Sequence, residues 1–347
     1  MVDIKVLANE ALELLDNHKK DNYRVCIAIV GPPGSGKSTI AGELCHEIND
    51  RYKQYLEARG SESTLLGVTP PVNVSAASAE EFFFDVRNIS PDLAEEMDSN
   101  NGILPEFVED TKFRPVKRKL ENGDVEIIGR GGLPNAFTIS SHAAPSHQDE
   151  LSIAQMVPMD GFHLSRKCLT YFHNPEEAIK RRGSPGTFDS NNFLQLCKCL
   201  AQSCLVKPSS CRTGQCFDFI SRTYNREFPS IRIPGFDHSL KDPTPNQYCI
   251  NGHTRIVILE GLYLLYDKEN WQDVYHVLQD TGALQVWYID IDDSTIEERV
   301  AKRHLKSKLV NSLEQGRQKF QENDLLNARL IRQNRVHSDN VTILRND

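Results

Sequence analysis

The sequence has no run of about 18 consecutive apolar residues, so nothing in its 347 positions predicts a helix that crosses a membrane. A secretory leader is not expected either, because the stretch MVDIKVLANEALELLDNHKK contains no unbroken apolar segment. Its apolar residues Ile4, Leu7, Ala8, Ala11, Leu12 and Leu15 recur at helical spacing and predict an amphipathic helix on the domain surface. An excess of basic residues is also absent. Against 48 Asp and Glu stand 40 Lys and Arg, a formal net charge of -8, which argues against a nucleic-acid partner because phosphate-backbone binding relies on clustered cations.

Matched cysteine pairs are lacking too. The nine cysteines are odd in number and scattered, unlike a secreted disulfide framework, so a reducing compartment and a cytoplasmic location are expected. Cys197, Cys199, Cys204, Cys211 and Cys216 lie close together, but their C-x-C-x4-C-x6-C-x4-C spacing is not the doubled C-x2-4-C of a zinc site, and they read as buried or loop thiols. What is present is ordinary globular material: 39% apolar and 25% charged residues, with a mean hydropathy of -0.46. The length admits one large α/β domain or two smaller ones.

Along the chain, RVCIAIV (Arg24 to Val30) is a β-branched run that ends in Gly-Pro-Pro-Gly, a buried strand feeding a tight loop. From Lys37 to about Tyr55, Ile40, Leu44 and Ile48 repeat at intervals of four and predict a helix. Between about 59 and 150 the character changes, with Ser, Pro, Asn and Gly punctuating short apolar stretches such as PVNVSAA and EFFFDV. This reads as an insertion, with a β-hairpin around Asn122-Gly123 and partial disorder near Ser140 to Gln148. AQMVP leads to Asp160-Gly161, a helix is expected over Asn191 to Leu205, and RIVILEG (Arg255 to Gly261) and LQVWYID (Leu284 to Asp290) read as buried strands. Ser294 to Lys308 predicts a helix opened by a capping-box-like Ser294 and Glu297, and VTIL a last strand. The predicted fold is α/β, a P-loop doubly wound parallel sheet with an inserted, hairpin-containing segment. Its expected parts are 1–58, carrying the first helix and the phosphate loop, the insertion 59–150, and the remainder 151–347. The insertion is a candidate surface for another protein or for self-association.

GPPGSGKS, Gly31 to Ser38, matches the eight-position P-loop, and Thr39 follows it. Gly31, Pro32, Pro33, Gly34, Ser35, Gly36, Lys37, Ser38 and Thr39 are therefore the candidate residues for ATP. The loop turns tightly enough to aim successive backbone N–H groups at phosphates, Lys37 reaches the outer phosphates, and Ser38 is placed to ligate magnesium. Glu260, at the end of the VILEG strand, is the candidate acidic partner and a second magnesium ligand, or else a turn carboxylate. GTP-binding switches carry an N-K-x-D guanine reader, and none occurs.

Four motifs in order, GPPGSGKST, PMDGFHLS, RRGSPGTFD with PGFDHSLKDP, and VILEGLYLL, make the chain resemble the uridine kinase, phosphoribulokinase and pantothenate kinase family of P-loop kinases. It looks closest to bacterial members and to fungal ATP-dependent kinases whose second strand ends in M-D-G-F-H. The resemblance covers Arg24 to Tyr55 and Met156 to about Arg335 and leaves the insertion out. It implies transfer of the γ-phosphoryl group of ATP to a hydroxyl of a small acceptor, with Lys37, Asp160, Glu260 and Arg303 as catalytic residues and Asp160 as the base. His163, Arg182, Asp189, Phe236, Asp237 and His238 are the implied acceptor contacts. Arg299 shares the helical face of Arg303, and Asn323 and Asn327 are weaker candidates near the ligands. Plainer readings exist: a turn for Asp160, a structural histidine for His163, salt bridging for Arg182 and Asp189, and a solvated basic face for the two arginines. An ATP-binding switch or scaffold that hydrolyses slowly is the alternative function.

Overall fold

The structure, a computed structural model, describes residues 2–16, 22–59, 85–140, 152–206, 216–222 and 228–346. Its centre is a five-stranded sheet in the order β11-β10-β1-β9-β6, from β1 (Val25–Val30), β6 (Ala154–Pro158), β9 (Ile256–Gly261), β10 (Leu284–Asp290) and β11 (Val341–Arg345). Every neighbouring pair is parallel. All six residues of β1 and all six of β9 are buried, which is why these strands read as continuous apolar runs rather than alternating ones.

Helices complete this core. Ile4–Asp16 buries Leu7, Ala8, Ala11 and Leu15, and Lys37–Ala58 buries Ile40, Ala41, Leu44, Ile48, Tyr52 and Leu56, the stripe expected of an apolar residue every third or fourth position. Ser190–Leu205 and Glu269–Gln279 pack into the same cluster, with Cys197, Cys199 and Cys204 as buried core thiols. Cys211 lies outside the described residues, as do PVNVSAA and the span 141–148 read as partly disordered. Among the described residues no helix is long and apolar enough to cross a membrane.

A second sheet has six strands in the order β2-β3-β4-β5-β7-β8, from β2 (Arg87–Asn88), β3 (Val116–Lys119), β4 (Val125–Ile128), β5 (Phe137–Ser140), β7 (Ser230–Asp237) and β8 (Asp242–Ile250). The Asn122-Gly123 hairpin joins β3 to β4, with Gly123 at φ 87°, a conformation that favours glycine. β5 then pairs antiparallel with β7, so the segment read as an insertion continues into a hairpin from the second half of the chain. Local periodicity marks strands, but it carries no record of so distant a partner.

Two local expectations are corrected. The Ser294 and Glu297 capping box does not form: the helix runs Asp293–Lys306, its cap is Asp292, and Ser294 is already inside. Arg332 fixes this earlier start, pairing with Asp293 and donating to the Ile291 carbonyl at 2.7 Å. The PGFDHSLKDP stretch, read as a loop, is the β7–β8 hairpin, with Asp237 opposite Asp242 across its turn.

Candidate active site

Strand register brings the motifs together. Val30 lies beside Gly261, and Pro158 beside Glu260, so the phosphate loop, Glu260 and the Asp160 turn all leave the carboxyl edge of the parallel sheet at one level. Crevices at that edge are where open α/β sheets bind ligands.

Gly36 caps the helix Lys37–Ala58 in a left-handed conformation (φ 90°), and no side chain satisfies the first-turn N–H groups. Those donors and the helix dipole are thus left for an anion. Lys37 Nζ stands 3.7 Å from Glu260 Oε1, and Ser38 Oγ donates to the same oxygen at 3.1 Å. Glu260 is only 4% exposed. Burial pushes its carboxyl pKa up, Lys37 opposes that, and the nearby charge of Asp160 reinforces it.

Asp160 sits on the tight turn Met159–Phe162 with its side chain 45% exposed, open to a ligand. His163 Nδ1 lies 2.9 Å from the Asp160 carbonyl oxygen, and the imidazole packs 3.9 Å from the Phe188 ring and 4.9 Å from Phe236. Burial lowers the His163 pKa, with Asp160 opposing. His238 contacts Phe236 at 5.3 Å, which completes an aromatic wall beside the carboxylates. Tyr248 on β8 was not singled out by the sequence. Its phenol pKa is raised first by burial and then by Glu260 and Asp160, which places it in the field of both carboxylates. No local pattern marks it, because only the β7–β8 hairpin carries it to the crevice.

Three expected acceptor contacts have other partners. Asp189 is fully buried; it caps the helix Ser190–Leu205 through Asn192 N at 3.1 Å and accepts from Gly131 N at 2.8 Å, so it braces the loop instead of reaching a ligand. Arg182 donates to the Lys241 and Leu164 carbonyls and pairs with Asp242 at 2.9 Å, tying the RRGSPG loop to the hairpin turn. Asp237 accepts from Ser239 N at 2.7 Å and Leu240 N at 3.0 Å and shapes that turn. Asn323 and Asn327 hold the same loop, donating to the Arg182 and Gly183 carbonyls at 3.0 and 3.2 Å.

Further bracing comes from residues 129–135, within the segment read as an insertion. Asn135 Nδ2 donates to the carbonyls of Gly161 (3.0 Å) and His163 (2.8 Å), on either side of the histidine turn. The buried Arg130 donates to the carbonyls of Gly186 and Phe188, both at 2.7 Å. Arg303 is exposed on the helix Asp293–Lys306. Burial raises the pKa of Asp324, and the positive charges of His304, Arg303, Lys319 and Lys37 oppose that rise.

The chain is 63% identical over 347 residues to an ATP-dependent kinase YFH7 of Zygosaccharomyces rouxii, covering 100% of this chain and 91% of that protein. It is 49% identical to the crystal structure of YFH7 from Saccharomyces cerevisiae, described as a candidate P-loop containing kinase with a circular permutation; the match covers 100% of both chains with a TM-score of 0.87. A candidate fructose transport system kinase from Silicibacter sp. TM1040 matches at 20% identity and a TM-score of 0.52, over 99% of this chain and 100% of that one, a likeness of fold alone. No protein-family model matches the chain.

Proposed function

The chain belongs to the fungal ATP-dependent kinase YFH7 family, and from that premise we propose that it transfers the γ-phosphoryl group of ATP to a hydroxyl of a small metabolite of the nucleoside, sugar or vitamin-like kind. The observation that carries this reading is the convergence of Lys37, Glu260 and Asp160 at one sheet edge, beside the aromatic wall of His163, Phe236 and His238. The backbone of Gly31 to Thr39 cradles the triphosphate on one side, and the wall receives one face of the acceptor on the other.

Asp160 accepts the proton of the acceptor hydroxyl as its oxygen bonds to the γ-phosphorus. The bond from that phosphorus to the β–γ bridging oxygen breaks, and ADP leaves with the electron pair. Lys37 and Arg303 stabilise charge on the transferring group. Tyr248, kept protonated by burial and by the two carboxylates, is able to donate to an acceptor oxygen. The oxygen donors Ser38 Oγ and Glu260 suit a hard cation, and these two residues would hold magnesium, which when bound would neutralise charge on the outer phosphates. A cytosolic location suits the free thiols of Cys26 and Cys204, which share a hydrogen bond with sulfurs 3.7 Å apart in the core and form no disulfide.

The test is incubation of the purified protein with ATP and a metabolite pool, with mass identification of phosphorylated products. A single phosphorylated metabolite supports the kinase reading. ATP turnover at one rate with and without the pool, yielding no such product, contradicts it and favours a nucleotide switch.

A further inference from the structure

Directly after β11, the chain reaches back to the phosphate loop. Asn346 Nδ2 donates to the Ser35 carbonyl at 2.9 Å, a contact between residues 311 positions apart. The same nitrogen stands 2.7 Å from where a Cβ on Gly36 would lie. Asn346 is itself anchored, since its carbonyl accepts from Arg299 Nη1 at 3.1 Å. The pairing of Asp290 with Arg345 sets the following residue at the carboxyl edge of the sheet, the edge from which the phosphate loop emerges.

A trans peptide carries its carbonyl oxygen and its N–H on opposite sides. With Ser35 O fixed on Asn346, the Gly36 N–H of the same peptide is directed the other way, to the side where this motif receives phosphate oxygens. Gly36 at φ 90° has no side chain to hold that peptide by packing, so the restraint comes from outside the loop. We propose that Asn346 is a positioning residue for nucleotide binding: its carboxamide keeps the Ser35–Gly36 peptide in the phosphate-receiving orientation, and Arg299 keeps Asn346 in place. The inference rests on the reading of Gly31 to Thr39 as the ATP site. It also gives Arg299, which shares the helical face of Arg303, a role of its own.

The test measures MgATP affinity by calorimetry, and ligand-free melting, for full-length Asn346→Ala, Asn346→Asp, Arg299→Ala and Lys37→Ala. Loss of one orienting hydrogen bond predicts MgATP binding about fivefold to tenfold weaker in both Asn346 variants, with the ligand-free melting temperature unchanged. Arg299→Ala shifts affinity in the same direction by less and adds little in combination with Asn346→Ala. A purely structural role would instead lower ligand-free melting and leave the affinity of the folded protein at the wild-type value, which overturns the proposal. Wild-type affinity in both Asn346 variants, with binding lost in Lys37→Ala, overturns it alone; wild-type affinity in Lys37→Ala removes the reading on which it rests. If the Asn346 variants fail to fold, unchanged affinity in Arg299→Ala overturns it and weakened affinity supports it.

Discussion

Lys37 Nζ lies 3.7 Å from Glu260 Oε1, a contact that holds a buried carboxylate against the phosphate-loop lysine. The folded pKa of Glu260 is raised by burial, so the folded state binds that proton more tightly than the unfolded chain does. The stabilisation is therefore present below the ordinary carboxylate range and is lost as pH rises through the raised value. Ionising the buried group costs stability, a common feature of functional sites. Glu260→Gln is expected to melt at a higher temperature than wild type without nucleotide, while turnover falls by about two orders of magnitude. Ligand-free calorimetry near neutral pH checks the first part, and a lower melting temperature would show that the Lys37 pair outweighs burial.

Asn135→Ala removes both donors to the Gly161 and His163 carbonyls. The expected stability loss is about 1–3 kcal/mol, since two buried acceptors are left without their partner. MgATP affinity should stay at the wild-type value while product formation falls by about tenfold, because the turn that carries Asp160 loosens and the phosphate loop does not. Urea unfolding and the two binding and rate measurements separate these effects.

His163 has a pKa depressed by burial against Phe188 and Phe236, and it also faces Asp160, Arg182 and His238. A base with a depressed folded pKa contributes stability that is present above its unfolded value, about 6.5, and is lost as pH falls toward the folded one. The melting temperature is expected to drop as pH falls below about 6.5, and His163→Asn should flatten part of that drop. An unaltered pH profile in the variant would assign the slope to other groups.

Much of the donor side was legible in the sequence because it is local. Strand, glycine loop and helix follow one another without interruption from Val25 to Ala58, and the buried strands announce themselves as apolar runs. The proposed acceptor side is assembled from distant pieces, and there the sequence was less informative. Arg182, Asp189 and Asp237 stand at the expected motifs, but they bond to partners at Asp242, Gly131 and Ser239 that no spacing rule supplies. Tyr248, Asn135 and Asn346 have no motif around them; each acquires its place through sheet pairing or a turn formed far away along the chain.

In the proposed reaction Asp160 takes the proton of an acceptor hydroxyl. The direct measurement is the rate of phosphorylated-metabolite formation by Asp160→Asn, with MgATP affinity determined on the same preparation. With Asp160 as the base, the rate falls by about 10²–10⁴-fold at unchanged ATP affinity; a wild-type rate of product formation in the folded variant would rule that role out.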